Sequence, residues 1–266
     1  IYAQRLKQKG KKVILLPQAF GPFENQRIRD AVVEILRNAD LVFARDALSY
    51  QYLMDLKVER ANIKIAPDFT CLVQGRLPAY FDINSKWACI VPNYRMIDST
   101  TDDTRENYLP FLASCIEYLN RHNIKPFILI HETDRDHEIA VALQATTGLT
   151  FPIIQESDPL YVKGILAHSY VVVGSRYHAL VGALSQGVPC LATGWSHKYE
   201  ALFQDYNCSE YMLSSLSSHE AISKLADLIE GPERSNVLNI LATERQKQQE
   251  LTNMMWDNVV QCLEHS

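Results

Sequence analysis

The densest concentration of reactive side chains is Gly174-Ser175-Arg176-Tyr177-His178, which closes an apolar run, Tyr170 to Val173, and opens an amphipathic one, His178 to Gln186. A strand passing into a helix there sets a guanidinium and an imidazole beside free helix N–H groups and the positive end of the helix dipole, a combination suited to an anion. Gly174, Gly182, Gly187 and Gly194 crowd the same stretch. Gly182 reads as close approach of the helix to the sheet and Gly187 as a tight stop before Pro189. Close packing explains the glycines, but not an Arg and a His together at a helix start.

In parallel α/β sheets ligands sit beyond the carboxyl ends of the strands, so the residues just after each apolar run are the others to weigh. Pro17 to Pro22 forms a rigid turn that exposes the Gln18 amide and bends at Gly21; an ordinary strand-to-helix loop is the alternative. Arg45-Asp46 follows Leu41 to Ala44, with Asp46 placed as a helix N-cap and Arg45 aimed into the inter-strand crevice. Asp68 follows Ile63 to Ala66. Arg95, after Trp87 to Val91, binds an anion or pairs with a surface acid. His131-Glu132-Thr133-Asp134 serves proton transfer or capping; Asp134 reads as the cap, leaving His131 as a candidate acid or base. Gly194 to Glu200 reads as a loop on the rim of the same crevice, with Lys198 adding to the anion site and His197 and Glu200 open to a solvated role.

These residues depend on elements whose rhythm is visible. Val13–Leu16, Leu41–Ala44 and Ile63–Ala66 read as strands, with helices over Ile1–Lys9, Asn25–Asn38 and Leu48–Leu56. Periodicity lapses between Cys71 and Lys86, then restarts with strands at Trp87–Val91, Pro126–His131, Phe151–Ile154, Tyr170–Val173 and Pro189–Thr193. Helices at Tyr108–His122, His137–Thr146, Pro159–Ala167 and His178–Gln186 separate them. A helix over His219–Glu230, a Gly231-Pro232 break and a long helix from Glu233 to about Glu264 close the chain. The expected organisation is an α/β protein with parallel sheets: a partial N-terminal domain over residues 1–75, a second domain over 76–217, and C-terminal helices over 218–266.

The chain has 266 residues, 47% hydrophobic and 21% charged, which is a globular composition rather than a disordered one. A net charge of −5 gives no field to gather a polyanion, so nucleic acid is not the expected partner. No apolar run approaches the roughly 20 residues of a membrane helix. The first residues, basic and without an apolar core, do not form a signal peptide. Six widely spaced cysteines fit reduced core thiols of a cytoplasmic protein and make no metal-type spacing.

In its PQAFGPF, VFARDALSYQYL and IAPDF segments, and above all in VVVGSRYHALVGALSQGVPCLATGWSHKYEALFQDYN, the chain resembles the polysaccharide pyruvyl transferase family. The likeness runs from about Val13 to Asn207. Its most specific element is SRYHAL, where the family has Arg, an apolar residue and His; Tyr177 departs from that pattern. The resemblance implies two Rossmann-like domains facing across a cleft, in the glycosyltransferase B manner, with a C-terminal helix returning toward the first. It also implies an N-terminal part that is incomplete here, since the family's Gly/Asn-rich opening turn is not found.

The implied activity is transfer of the pyruvyl group of phosphoenolpyruvate to two hydroxyls of a sugar, giving a cyclic ketal and phosphate. Phosphoenolpyruvate is then a co-substrate, and neither cofactor nor metal is called for. Arg176 and Arg95 become anchors for its phosphate and carboxylate, with Ser175, Tyr177 and Lys198 in support. His178 becomes the group at the donor, as acid or phosphate hydrogen-bond donor, and His131 or Asp68 the base. Gln18, Gly21, Arg45 and Glu200 fall on the possible acceptor side, for a saccharide or lipid-linked saccharide, the latter allowing peripheral membrane association. A nucleotide-sugar glycosyltransferase or epimerase is the nearest rival, with Glu200 gripping a ribose. A non-catalytic carbohydrate-binding protein is the other.

Overall fold

The computed structural model describes residues 2–59 and 61–264. The chain divides into two units, Ile1–Leu72 with Lys247–Ser266, and Val73–Gln246.

The first unit is built on a parallel sheet of β1 (Ile14–Gln18), β2 (Leu41–Ala44) and β3 (Ile63–Ile65), in the order β1-β2-β3. The central strand β2 is buried on both faces and alternates between two cores. Val42 and Ala44 meet Leu36 of α2 (Gln26–Asn38) and Leu53 of α3 (Ala47–Met54). Leu41 and Phe43, pointing the other way, meet Met255 and Val259 of the C-terminal helix. Asn25 caps α2 through bonds from the Arg27 and Ile28 N–H groups. A short helix α1 (Tyr2–Gln8) precedes β1.

The second unit holds five parallel strands, β4 (Trp87–Val91), β5 (Lys125–Ile130), β6 (Ile153–Gln155), β7 (Val171–Gly174) and β8 (Cys190–Ala192), in the order β6-β5-β4-β7-β8. The chain winds outward from β4 to β6, returns to the middle, and winds outward again through β7 and β8. Winding therefore reverses between β4 and β7, which pair with Val91 opposite Gly174. Such a reversal opens a crevice at the carboxyl ends of the two strands. The central strands read as unbroken apolar runs because helices cover both faces. Ala88 to Val91, Phe127 to Ile130 and Val171 to Val173 are almost fully buried.

Its helices are α4 (Arg95–Asp98), α5 (Asp102–Arg121), α6 (Asp134–Thr147), α7 (Pro159–Ala167), α8 (Tyr177–Leu184), α9 (His197–Asp205), α10 (Ser218–Ile229) and α11 (Gly231–Glu264), the last running on into the first unit. Several features differ from expectation, among them the short helix α4, which was not expected, and β1, which runs on through Pro17 and Gln18. Helix α5 starts at Asp102, six residues before Tyr108, because Thr101 caps it and its polar first turns carry no apolar signal. Gly194–Glu200 is not all loop, since α9 begins at His197. A Cβ at Gly182 would stand 2.9 Å from Leu166 Cδ1 of α7, so that glycine admits a neighbouring helix rather than the sheet. Five cysteines are buried and Cys262 half-buried, and none of the six is joined in a disulfide among the described residues. No helix among the described residues is long and apolar enough to cross a membrane.

Candidate active site

At the reversal between β4 and β7 the strand ends are tied together by buried hydrogen bonds. Asn93 donates through Nδ2 to the Ser175 carbonyl at 2.8 Å, and its N–H donates to the Tyr108 hydroxyl at 2.9 Å. The Tyr199 hydroxyl donates to the Ser175 carbonyl at 3.0 Å, while the hydroxyls of Tyr108 and Ser175 bond each other. Burial pushes the Tyr108 and Tyr199 phenols well above their ordinary range, so both remain neutral donors. Ser175, expected at the donor, is fully buried in this knot. Its role is to fix the backbone that launches α8.

Arg176 occupies the N-cap position of α8 without capping it. Its guanidinium turns inward onto Asp136 of α6, with Nε on Oδ2 at 3.0 Å and Nη2 on Oδ1 and Oδ2 at 2.8 and 2.6 Å. Nη1 bonds Glu132 Oε2, and Nη2 also reaches Thr133 Oγ1 at 3.3 Å. Asp136 closes the arrangement by accepting the Tyr94 N–H at 2.9 Å. Side chains 9% and 3% exposed make Arg176–Asp136 a desolvated pair, the kind that suffers most when one member is removed. The expected anion anchor is thus committed to two carboxylates.

Glu132 carries the arrangement to the surface. One carboxylate oxygen holds Arg176, and the other faces His178 Nδ1 at 4.0 Å. The neighbouring His178, opposed in part by burial and aided by Arg176, holds the Glu132 carboxyl below its usual range, so it stays ionised. The His178 side chain is 67% exposed, open to a ligand while backed by a fixed negative charge. His131 behaves oppositely. Burial pushes its imidazole below the ordinary value, and its Nε2 is buried without a hydrogen-bond partner.

Lys198, in the first turn of α9, has its ammonium 5.1, 5.8 and 5.4 Å from the ring centroids of Tyr177, Trp195 and Tyr199. Aromatic faces of this kind hold a cation in place without neutralising it. Tyr177 also meets the His178 ring edge to face at 5.7 Å, so one buried tyrosine touches both groups. That contact gives the departure from the SRYHAL pattern a structural use.

Other expected residues have partners of their own. Arg95, on α4, is 62% exposed and engages its own turn, Asp98 at 3.8 Å and Ser99 at 3.4 Å, which is the surface-pair alternative. Asp68 and Arg45 belong to the first unit and pair at 3.1 Å. Asp68 Oδ1 also accepts from the Thr70 N–H and hydroxyl at 3.0 and 2.7 Å, so the expected base is engaged on both oxygens. Asp46 caps α3 as expected, accepting from Ser49 N–H at 2.7 Å. Gly21 has φ +75° and the Tyr52 ring lies where its Cβ would be, which makes it a packing glycine. Gln18 is exposed at the end of β1, and Glu200 is exposed on α9.

Thr133, not Asp134, is the N-cap residue of α6. Among the described residues no group of three His, Cys, Asp or Glu side chains is placed to hold a metal ion. Sequence reasoning took Glu132 only as part of the segment after β5, and it missed the roles of Asp136, Asn93 and Tyr108. The visible signal was a pair of acids four apart, Glu132 and Asp136, which a helix start presents on one side.

Residues 2–197 match a protein family described as polysaccharide pyruvyl transferase. No curated protein sequence matches the chain. Among solved structures it is similar to a Listeria monocytogenes protein assigned as UDP-N-acetylglucosamine 2-epimerase, with 13% identity and a TM-score of 0.71 over 99% of this chain and 71% of that one. The UDP-GlcNAc 2-epimerase of Neisseria meningitidis aligns over 97% and 72% with 11% identity and a TM-score of 0.66. An α,α-trehalose-phosphate synthase of Burkholderia vietnamiensis aligns over 100% and 70%, with 11% identity and a TM-score of 0.64. At these identities the likeness is one of fold, the glycosyltransferase B-like α/β fold with parallel sheets.

Proposed function

The chain belongs to the polysaccharide pyruvyl transferase family, and from that premise we propose that it moves the pyruvyl group of phosphoenolpyruvate onto two hydroxyls of a saccharide or lipid-linked saccharide, releasing phosphate. The observation that carries this reading is an exposed imidazole backed by an ionised carboxylate at the start of α8, with an ammonium held by the same aromatic residue. Protonated His178 gives its proton to the methylene carbon of the enol phosphate, leaving an oxocarbenium-like carbon that bears a methyl group. The first sugar hydroxyl bonds to that carbon and returns its proton to His178. The second hydroxyl then displaces phosphate, which leaves with the second proton. Glu132 faces the ring at Nδ1 and orients it. Lys198 and the α8 N–H groups meet the donor's anionic groups. Arg176 works as a positioning residue, acting through Glu132.

The rival nucleotide-sugar reading needs a carboxylate on the helix after the phosphate loop to hold ribose hydroxyls. Helix α8, Tyr-His-Ala-Leu-Val-Gly-Ala-Leu, has none, so that reading rests on Glu200, exposed in the first turn of α9. The deciding experiment measures melting of the chain with phosphoenolpyruvate and with UDP. Saturating donor at about 100 times its Kd adds about 2.7 kcal/mol, a rise of several degrees. A rise with phosphoenolpyruvate alone supports pyruvyl transfer; a rise with UDP alone replaces it with a glycosyltransferase.

A further inference from the structure

A cleft of about 820 Å³ opens in the second unit between the start of α5, the turn after β8, α9 and the segment 209–216. Its size falls in the range of about 300–1,000 Å³ typical of small-molecule sites. Three properties restrict what it can hold. Its lining contains carboxylates, Asp103 and Glu200, but no Lys, Arg or His. A phosphate or a diphosphate bridge would therefore sit beside two carboxylates with no cationic side chain in the lining to neutralise it. The polar groups are instead mixed donors and acceptors, and Glu200, Gln204 and Ser214 make no side-chain hydrogen bond to the protein among the described residues. Finally, Trp195, 38% exposed, forms part of the wall. An aromatic face beside unspent hydrogen-bonding groups suits a ligand with an apolar C–H face and a rim of hydroxyls.

We infer that this cleft binds an uncharged saccharide unit, with the sugar ring stacked on Trp195 and its hydroxyls donating to Glu200 and exchanging bonds with Gln204. The inference rests on the pyruvyl-transfer reading for its meaning, since it makes the ligand the acceptor, and it places acceptor contacts on the same unit as His178 and Lys198. Trp195 is the physical link, because its ring lies against Tyr199 at 5.3 Å and forms one side of the aromatic enclosure around Lys198. The absence of cations in the lining selects against acceptors charged by a carboxylate or phosphate in this subsite.

The test is saturation-transfer NMR on the full chain with cellobiose, lactose and N,N′-diacetylchitobiose as neutral probes, and glucuronic acid and UDP as charged ones. At least one neutral disaccharide is expected to bind. Trp195→Ala should weaken it about tenfold, and Glu200→Gln or Gln204→Leu, on an exposed helix face where folding is undisturbed, about threefold. No binding by any neutral probe, equal binding in all three variants, or preference for glucuronic acid or UDP each overturns the inference. Melting with phosphoenolpyruvate, run in parallel, separates the two readings. If the donor causes no shift while saccharide binding depends on Glu200 and Gln204, the donor reading fails and the saccharide site stands. The reverse pattern leaves the donor reading and removes the saccharide site.

Discussion

Each unit places an arginine just beyond a central strand, and the two arginines have opposite consequences. After β2, Arg45 meets Asp68, a carboxylate that also serves a local turn, and the neighbouring Asp46 caps α3. After β7, Arg176 meets two carboxylates on the loop and helix that follow β5, and the outer one faces an exposed histidine. The first arrangement closes on itself. The second passes a fixed charge outward to a group that solvent and ligand can reach. A charged residue at a strand end is therefore read through the balance of its partners, and at Arg176 that balance leaves Glu132 facing the exposed His178 imidazole.

The sharpest way to break this comparison is Arg176→Ala, which leaves Asp136 buried without its partner. Removing one member of a buried pair costs about 3–5 kcal/mol. Sequence alone would assign the substitution a loss of anion binding on an intact fold. Because its guanidinium holds two carboxylates, Arg176→Ala is expected to lower the urea midpoint as well, and by more than Arg45→Ala. Equal midpoints for the two variants would remove the distinction between the units.

His178→Gln probes the outward end of the same arrangement and should separate function from stability. General acid–base groups contribute about 10²- to 10⁴-fold in rate. Pyruvyl transfer measured by phosphate release is expected to drop by that amount, with the urea midpoint unchanged because the ring is largely in solvent. Wild-type turnover in this variant would move the acid to another residue.

The fold was largely legible because parallel strands buried on both faces are continuous apolar runs: Leu41–Ala44 and Trp87–Val91 appear in the structure with the expected limits. Helix α9 was not, since His197-Lys198-Tyr199-Glu200 shows no apolar period before Leu202. At the site, Arg176 and His178 were visible as a pair of residue types, but the inward turn of Arg176 was not. Its partners lie about forty positions earlier in sequence, and nothing local specifies which cation two acids will meet. Asp68 and Arg45 were each attractive alone and lose their freedom only when brought together.

Protonation gives a smaller, graded test. His131 has its pKa lowered by burial, so the folded state resists protonation that the unfolded chain accepts. Its stabilising contribution is complete above the ordinary value of 6.5 and is lost as pH falls from there through the folded value. Glu132, also lowered, contributes above the ordinary 4.5 and loses its contribution only in the more acid range below it. Urea midpoints should decline in two windows. His131→Gln should flatten the upper one, and Glu132→Gln should shrink the lower one, to which Asp40, Asp82, Asp98 and Glu156, also held low, contribute the remainder. A single window near pH 4 in the wild type would contradict the burial of His131.

The smallest expected effect belongs to Arg95→Ala. Its side chain is mostly in water and pairs three residues along with Asp98, which Arg135 also holds at 3.1 Å. Exposed pairs of this kind contribute about 0.2–1 kcal/mol, and Arg135 remains to satisfy the carboxylate. The midpoint should move by no more than about 0.5 kcal/mol. Because the side chain is spent on its own turn, the phosphoenolpyruvate-dependent rise in melting temperature should equal that of the wild type. A clear loss of that rise would make Arg95 a donor anchor that leaves Asp98 on binding. The β4 side of the reversal would then carry function as directly as the β7 side.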